Sequence, residues 1–203
     1  MKIYDISWLI SEQMTSYKDK LEKKPSLEKK QNGEYNLKLD SHTGTHIDAP
    51  RHFIKNKKTI DKINLDFLIG KCKVIDFTKI NCKITDKNLK DKNIKKGDII
   101  LLKTKNSFLK ETEKFCYDFV YLDKNGAEFL CKKKIKCVGI DYLGIENKQP
   151  NHETHKILLK NNILIIEGLR LQKIKQGTYY MFGLPLKIKN SDASPARVIL
   201  IQR

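Results

Sequence analysis

Short apolar or alternating runs, separated by polar stretches, recur along the whole chain and set its architecture. Alternation over residues 3–10 and again at Tyr35, Leu37 and Leu39 predicts half-buried strands. Apolar runs at 73–78, 98–104, 136–142 and 163–166 predict more deeply buried ones, and residues 179–188 and 197–201 complete a sheet. Between them the pattern turns helical at 85–94, at 125–134 with Asn125 opening the helix, and at 153–161, where Asn161-Asn162 stops it. Residues 18–33 are rich in Lys and Glu with little periodicity and predict a polar, partly helical excursion. Helices alternating with strands in the middle and strand-rich ends imply an α/β fold with mixed sheet pairing. No repeat or linker divides the chain, so residues 1–203 are expected to form one domain.

Composition narrows the setting. No apolar run reaches the length of a membrane span, and the start lacks the apolar core of a secretion signal. Five cysteines, an odd number without a C-x-x-C pair, fit free thiols in a reducing compartment, with Cys72 and Cys137 as core residues. These features predict a cytoplasmic protein. The net charge of +17 raises nucleic acid as a partner, but only Arg51, Arg170, Arg197 and Arg203 among the 41 basic residues are arginine. Bidentate phosphate and base contacts favour arginine, and the lysines are scattered, so a solvated surface is the better reading.

Candidate chemistry is concentrated in one segment. Three of the five histidines, His42, His46 and His52, lie with Asp48 in HTGTHIDAPRH, residues 42–52. Gly44 and Pro50 exclude a helix, and the four polar positions share one parity, which places them on one face of an extended chain. Four extended residues cover about 13 Å, whereas atoms ligating one zinc lie within about 4 Å of each other. The chain must therefore bend between His42 and His46, at Gly44. Two imidazoles and a carboxylate leave coordination positions open for water and substrate. His52, beyond Pro50, suits a general base and acid beside the ion. Further on, His155 and Glu167 form a second candidate pair, because a carboxylate closing the apolar run 163–166 is costly to bury without a cation or donor. His152 is expected to be solvated.

At these residues the chain resembles the cyclase-like family of metal-dependent hydrolases, which includes bacterial kynurenine formamidases (arylformamidases). Residues 42–52 match the pattern H-x-G-T-H-x-D-x-P-x-H in full, and 138–141, 155–167, 183–186 and 192–197 extend the likeness. The resemblance implies the family's swivelling β/β/α fold, a homodimer, and one or two divalent ions, zinc or manganese. It makes His42, His46 and Asp48 ligands of a first ion, with Asp48 bridging to a second ion held by His155 and Glu167. It also makes His52 the proton donor and acceptor. The implied reaction is hydrolysis of a small amide, N-formylkynurenine to kynurenine and formate, with another amide, lactam, lactone or ester as the alternative. A non-catalytic metal-binding or nucleic-acid-binding role is the third reading. Two departures fall in the substrate region: Tyr17 stands where the formamidases have the tryptophan of a Trp-Pro-Gly-Asp stretch, and Gly144 where a serine is common.

Overall fold

The computed structural model describes residues 1–202. Its elements run β1 (Lys2–Asp5), β2 (Ser26–Lys29), β3 (Tyr35–Lys38), β4 (His46–Asp48), β5 (Ile69–Asp76), β6 (Lys83–Ile84), α1 (Asp86–Leu89), β7 (Ile99–Lys103), β8 (Tyr121–Leu122), α2 (Lys124–Lys133), β9 (Cys137–Ile140), α3 (Glu153–Lys160), β10 (Leu164–Glu167), β11 (Gly177–Pro185) and β12 (Ala193–Gln202). One mixed sheet dominates, in the order β1-β12-β11-β5-β7-β9-β10-β4. The neighbours β5–β7, β7–β9 and β9–β10 are parallel and the other pairs antiparallel. Because β4 also pairs with β12, seven strands close into a ring, with β1 attached beyond it. This is the α/β, mixed-sheet architecture that the hydrophobic pattern predicts.

Strand parity builds two cores. Ile99 and Leu101 of β7 point into the ring with Cys72, Val74, Cys137, Ile166, Met181 and Leu200. Ile100 and Leu102 point outward with Val138, Ile140 and Ile165, against Leu89, Ala127, Leu130, Leu158 and Leu159 of the helices. Covering both faces is what lets β7 and β9 be buried at every position. All five cysteines are free thiols, with Cys72 and Cys137 buried as predicted. Among the described residues no helix is long and apolar enough to cross a membrane.

The structure departs from the sequence pattern in several places. The strand expected at 3–10 ends at Asp5, whose Oδ1 accepts from the Ser7 amide and turns the chain. The polar excursion holds two single 3-10 turns, Tyr17–Asp19 and Leu21–Lys23, and then β2. β2 pairs only with β3, so the alternation at 35–39 marks an exposed hairpin outside the main sheet. The helix expected at 85–94 is one turn, α1, closed by a reciprocal cap between Thr85 and Asn88. α2 is opened by Asp123, whose Oδ1 accepts from the Gly126 amide, rather than by Asn125. α3 ends as expected, with Asn162 in the left-handed conformation.

Candidate metal centre

Ring closure positions the site. Ile47 and Ile166 point into the ring core, so the flanking His46, Asp48 and Glu167 emerge on the outer face, beneath α3. β4 and β10 pair with Glu167 opposite His46 and Ile165 opposite Asp48. The bend between His42 and His46 falls on Gly44, with φ of +61°. Gly168, at φ +70°, packs its Cα directly on the Gly44 carbonyl, where any side chain would collide. Thr45 locks this approach by donating to the Gly168 carbonyl (2.5 Å) and accepting from the Trp8 amide (2.7 Å). After β4, Pro50–His52 form a 3-10 turn that brings His52 back over the strand.

All five candidate ligands meet. His42 Nδ1 lies 3.2 Å and His46 Nε2 3.6 Å from Asp48 Oδ1. His46 Nε2 is 3.3 Å from Glu167 Oε2, and His155 Nε2 is 3.1 Å from Glu167 Oε1 and 3.7 Å from Asp48 Oδ2. His155 is thus close enough to Asp48 to share an ion with it. His46 Nε2 and both carboxylate oxygens of Asp48 are buried and have no hydrogen-bond partner. Buried polar atoms in folded proteins almost always have one. The unpaired Asp48 oxygens and His46 Nε2, converging with Glu167 within a few ångströms, are the donor set of a divalent cation, and the residues fit one. The predicted cost of burying Glu167 is met by the same neighbours and by the Ile145 amide, which donates to its Oε1 at 2.6 Å.

Two carboxylates join the cluster that the sequence pattern did not single out. Asp192, just before β12, accepts from His52 Nδ1 (2.7 Å) and from His42 Nε2 (3.1 Å). Glu146 lies 3.1 Å from His155 Nδ1 and 2.6 Å from His152 Nδ1. His152, expected to be solvated, is over half exposed but paired with Glu146. Carboxylates behind imidazoles orient the ring and raise its basicity. Asp192 reaches its histidines across the fold, so no local spacing marks it, whereas Glu146 lies six and nine residues before His152 and His155. The run Asp192–Arg197, part of the family likeness, was the one available signal for Asp192.

Relatives share this framework. A family model described as "Putative cyclase" matches residues 4–147. The chain belongs to the cyclase family. A rice "Cyclase-like protein 1" is 37% identical over 175 residues, covering 82% of this chain but only 64% of the rice protein. The Bacillus cereus "Kynurenine formamidase" is 30% identical over 165 residues, 81% of this chain and 78% of that enzyme. A solved structure described as a potential metal-dependent hydrolase with cyclase activity superposes with a TM-score of 0.93 at 43% identity, covering 100% of this chain and 98% of that one.

In this cyclase-family chain the ligand cluster opens into a cavity of about 540 Å³. Tyr17 lines it, as do Phe53, Phe115, Phe119 and Gly144. Tyr17 packs edge-on against Phe115 at 5.2 Å between ring centres. A Cβ at Gly144 would stand 3.3 Å from Phe119 Cζ and 3.6 Å from Tyr17 Cε2, so glycine keeps this wall relaxed. The electrostatics favour a cation at the ligand end. Burial pulls the His42 imidazole down, but Asp192 and Asp48 outweigh it and raise its pKa to about 10. Burial likewise lowers His155, while Glu146 and Glu167 raise it to about 10. Burial pushes Glu167 up, yet His155 and His46 hold it well below the usual carboxylate range. The imidazoles of His42 and His52 depress Asp192 in the same way.

Proposed function

We propose that this protein is a metal-dependent hydrolase that cleaves the C–N bond of a small amide, of the arylformamidase type that converts N-formylkynurenine to kynurenine and formate. The observation that carries this reading is the buried, unpartnered His46 Nε2 and Asp48 carboxylate at the floor of an aromatic-walled cavity. The 30% identity to the B. cereus formamidase supports it. His42, His46 and Asp48 would hold a first divalent ion, zinc or manganese, and His155 and Glu167 would share Asp48 with a second. Such an ion supplies ionised water near neutral pH and positive charge for the carbonyl oxygen.

The chain's own groups do the rest. His52 uses Nδ1 on Asp192, which leaves Nε2 as the free nitrogen of a ring that lines the cavity. That nitrogen takes the proton of the attacking water and returns it to the departing nitrogen. Asp192 fixes the tautomer required, and Glu146 does the same for His155. Tyr17, Phe115 and Phe119 hold the apolar body of the substrate and thin out water around the reacting bond.

One observation favours a broader substrate reading on the same machinery. Lys18 and Asp19, both at positive φ, replace the Pro-Gly turn of the formamidases, and Gly144 relaxes the facing wall. A lactam, lactone, ester or different amide fits such a remodelled cavity. The discriminating experiment is metal analysis followed by turnover of N-formylkynurenine beside a panel of lactams and esters. Turnover of none of them by metal-saturated protein removes the hydrolase reading.

We also propose a homodimer in the cytoplasm. The β2–β3 hairpin exposes Tyr35 and Leu37, and an isolated two-stranded hairpin is marginal in water, so a second copy is its natural cover. Sedimentation at micromolar concentration should give twice the chain mass; a monomer excludes the assembly. Five free thiols suit a reducing compartment.

A further inference from the structure

One polar group in the cavity is not used by the ligand cluster or by the proton path. Ser16 is 5% exposed, lines the same cavity as His46 and His52, and its Oγ has no hydrogen-bond partner. It sits at the N-cap of the turn Tyr17–Asp19, where a serine hydroxyl ordinarily caps, yet it makes no capping bond. Its backbone carbonyl already accepts from the Asp19 amide. The segment is clamped on both sides. The Thr15 hydroxyl donates to the carbonyls of Glu111 and Glu113, Asp19 Oδ1 accepts from the Phe115 amide, and the Tyr117 hydroxyl donates to the Lys18 carbonyl. The hydroxyl is therefore held in place and left unsatisfied, a cost that a bound partner would remove.

The charges around the cavity say what that partner carries. Buried carboxylates, Glu146 and Glu167, lie at the ligand end. Lys18, Lys20, Lys23 and Lys148 also line the cavity. Three of these have carboxylate neighbours: Lys20 with Glu22, Lys23 with Asp40 and Lys148 with Asp118. Lys18, exposed and over the Tyr17 ring at 5.2 Å, pairs with no carboxylate among the described residues. A neutral O–H donor and an ammonium without a carboxylate partner, lining one cavity, form a recognition pair for an anionic oxygen.

We propose that Ser16, backed by Lys18, is a specificity-determining residue that donates a hydrogen bond to a carboxylate on the uncleaved part of the substrate. N-formylkynurenine, proposed above, bears such a carboxylate on its amino-acid arm, and Ser16 is the residue assigned to bind it. This rests on the hydrolase reading above, and its test separates the two.

The metal-loaded protein and Ser16→Ala are compared on formanilide and on 2-, 3- and 4-formamidobenzoate, taking the carboxylated isomer that wild type handles best. Wild type should prefer that isomer, and Ser16→Ala should cut the preference, as a ratio of kcat/KM values, about tenfold through KM, the scale of a hydrogen bond to a charged group. Because the lost Oγ has no partner in the protein, the melting temperature of Ser16→Ala should hold or rise. A preference ratio that is unchanged, or an equal loss on both substrates with a lower melting temperature, overturns the proposal and makes Ser16 structural. If wild type cleaves none of these amides, the hydrolase reading fails, and calorimetric titration with benzoate and aniline decides Ser16 alone. Weaker benzoate binding by Ser16→Ala then supports it, and equal binding overturns it.

Discussion

The ligand floor and the aromatic wall of one cavity are built in opposite ways. The floor comes from two short strands, β4 and β10, whose register sets Glu167 opposite His46 and whose neighbouring isoleucines are anchored in the core. The wall comes from the turn Tyr17–Asp19 and the loop around Phe115–Phe119, joined by side-chain-to-backbone bonds. Register cannot shift by one residue without turning every side chain to the other face, whereas a turn can exchange residues singly. On the function proposed above, reaction chemistry belongs to the floor and substrate choice to the wall.

Asp48→Ala tests that division most severely. It removes the carboxylate shared by both halves of the floor, so the ion and the activity should disappear together, by metal analysis and turnover on one sample. Retention of a stoichiometric ion would move the centre elsewhere. His52→Ala comes next: turnover should fall about 10²-fold or more with metal content near wild type. Loss of the ion on dialysis would instead make His52 a ligand, a role its place near His42 and Asp48 allows.

Glu146→Gln should weaken metal affinity by about 10- to 100-fold, the usual effect of removing a carboxylate behind a ligating imidazole. The measurement is competition with a chelator. Protons compete for the same nitrogens. In metal-free protein His42 and His155 are raised from 6.5 to about 10, so their stabilising contribution is full below pH 6.5 and lost as pH rises through 10. An ion must displace those protons, so its affinity should rise over the same window. Thermal scans should therefore show the gap between loaded and metal-free melting temperatures widening from pH 6.5 toward 10. A constant gap would mean the imidazoles are not the competing groups. The smallest effect belongs to the wall: Tyr17→Ala should raise KM several-fold, with metal content and kcat little changed. A fall in kcat alone would join wall to floor.

The same contrast decides what could be read from the sequence. His42, His46, Asp48 and His52 fall within one segment, so their convergence needed only a bend at Gly44, and the apolar run Ile163–Ile166 placed Glu167 at a strand end. Most strands were visible because a ring covered on both faces demands uninterrupted apolar runs such as 99–102. Asp192 was not visible, since it meets its histidines through folding of distant segments, and Glu146, six and nine residues before His152 and His155, sits in a loop whose polar pattern does not set it apart. β3 reads as half-buried because an exposed ribbon alternates like a half-buried strand while burying little of either face, and its partner β2 lies in the polar stretch 18–33, where no periodicity marks a strand. Asn125 lost the cap of α2 to Asp123 for a local reason: the residue whose oxygen reaches the Gly126 amide lies three positions before it.

Strand β4 has a further meaning in the order of events during folding. With only three residues it closes the ring, against β10 on one side and β12 on the other. Thr45, just before it, bonds a carbonyl 123 residues away. Contacts of such sequence separation bear a large loop-closure entropy and are expected to form late. The centre should therefore form after the helices and the local strand pairs, and an incompletely folded molecule would have no place for an ion. Metal capture in a refolding experiment should lag behind the recovery of secondary structure.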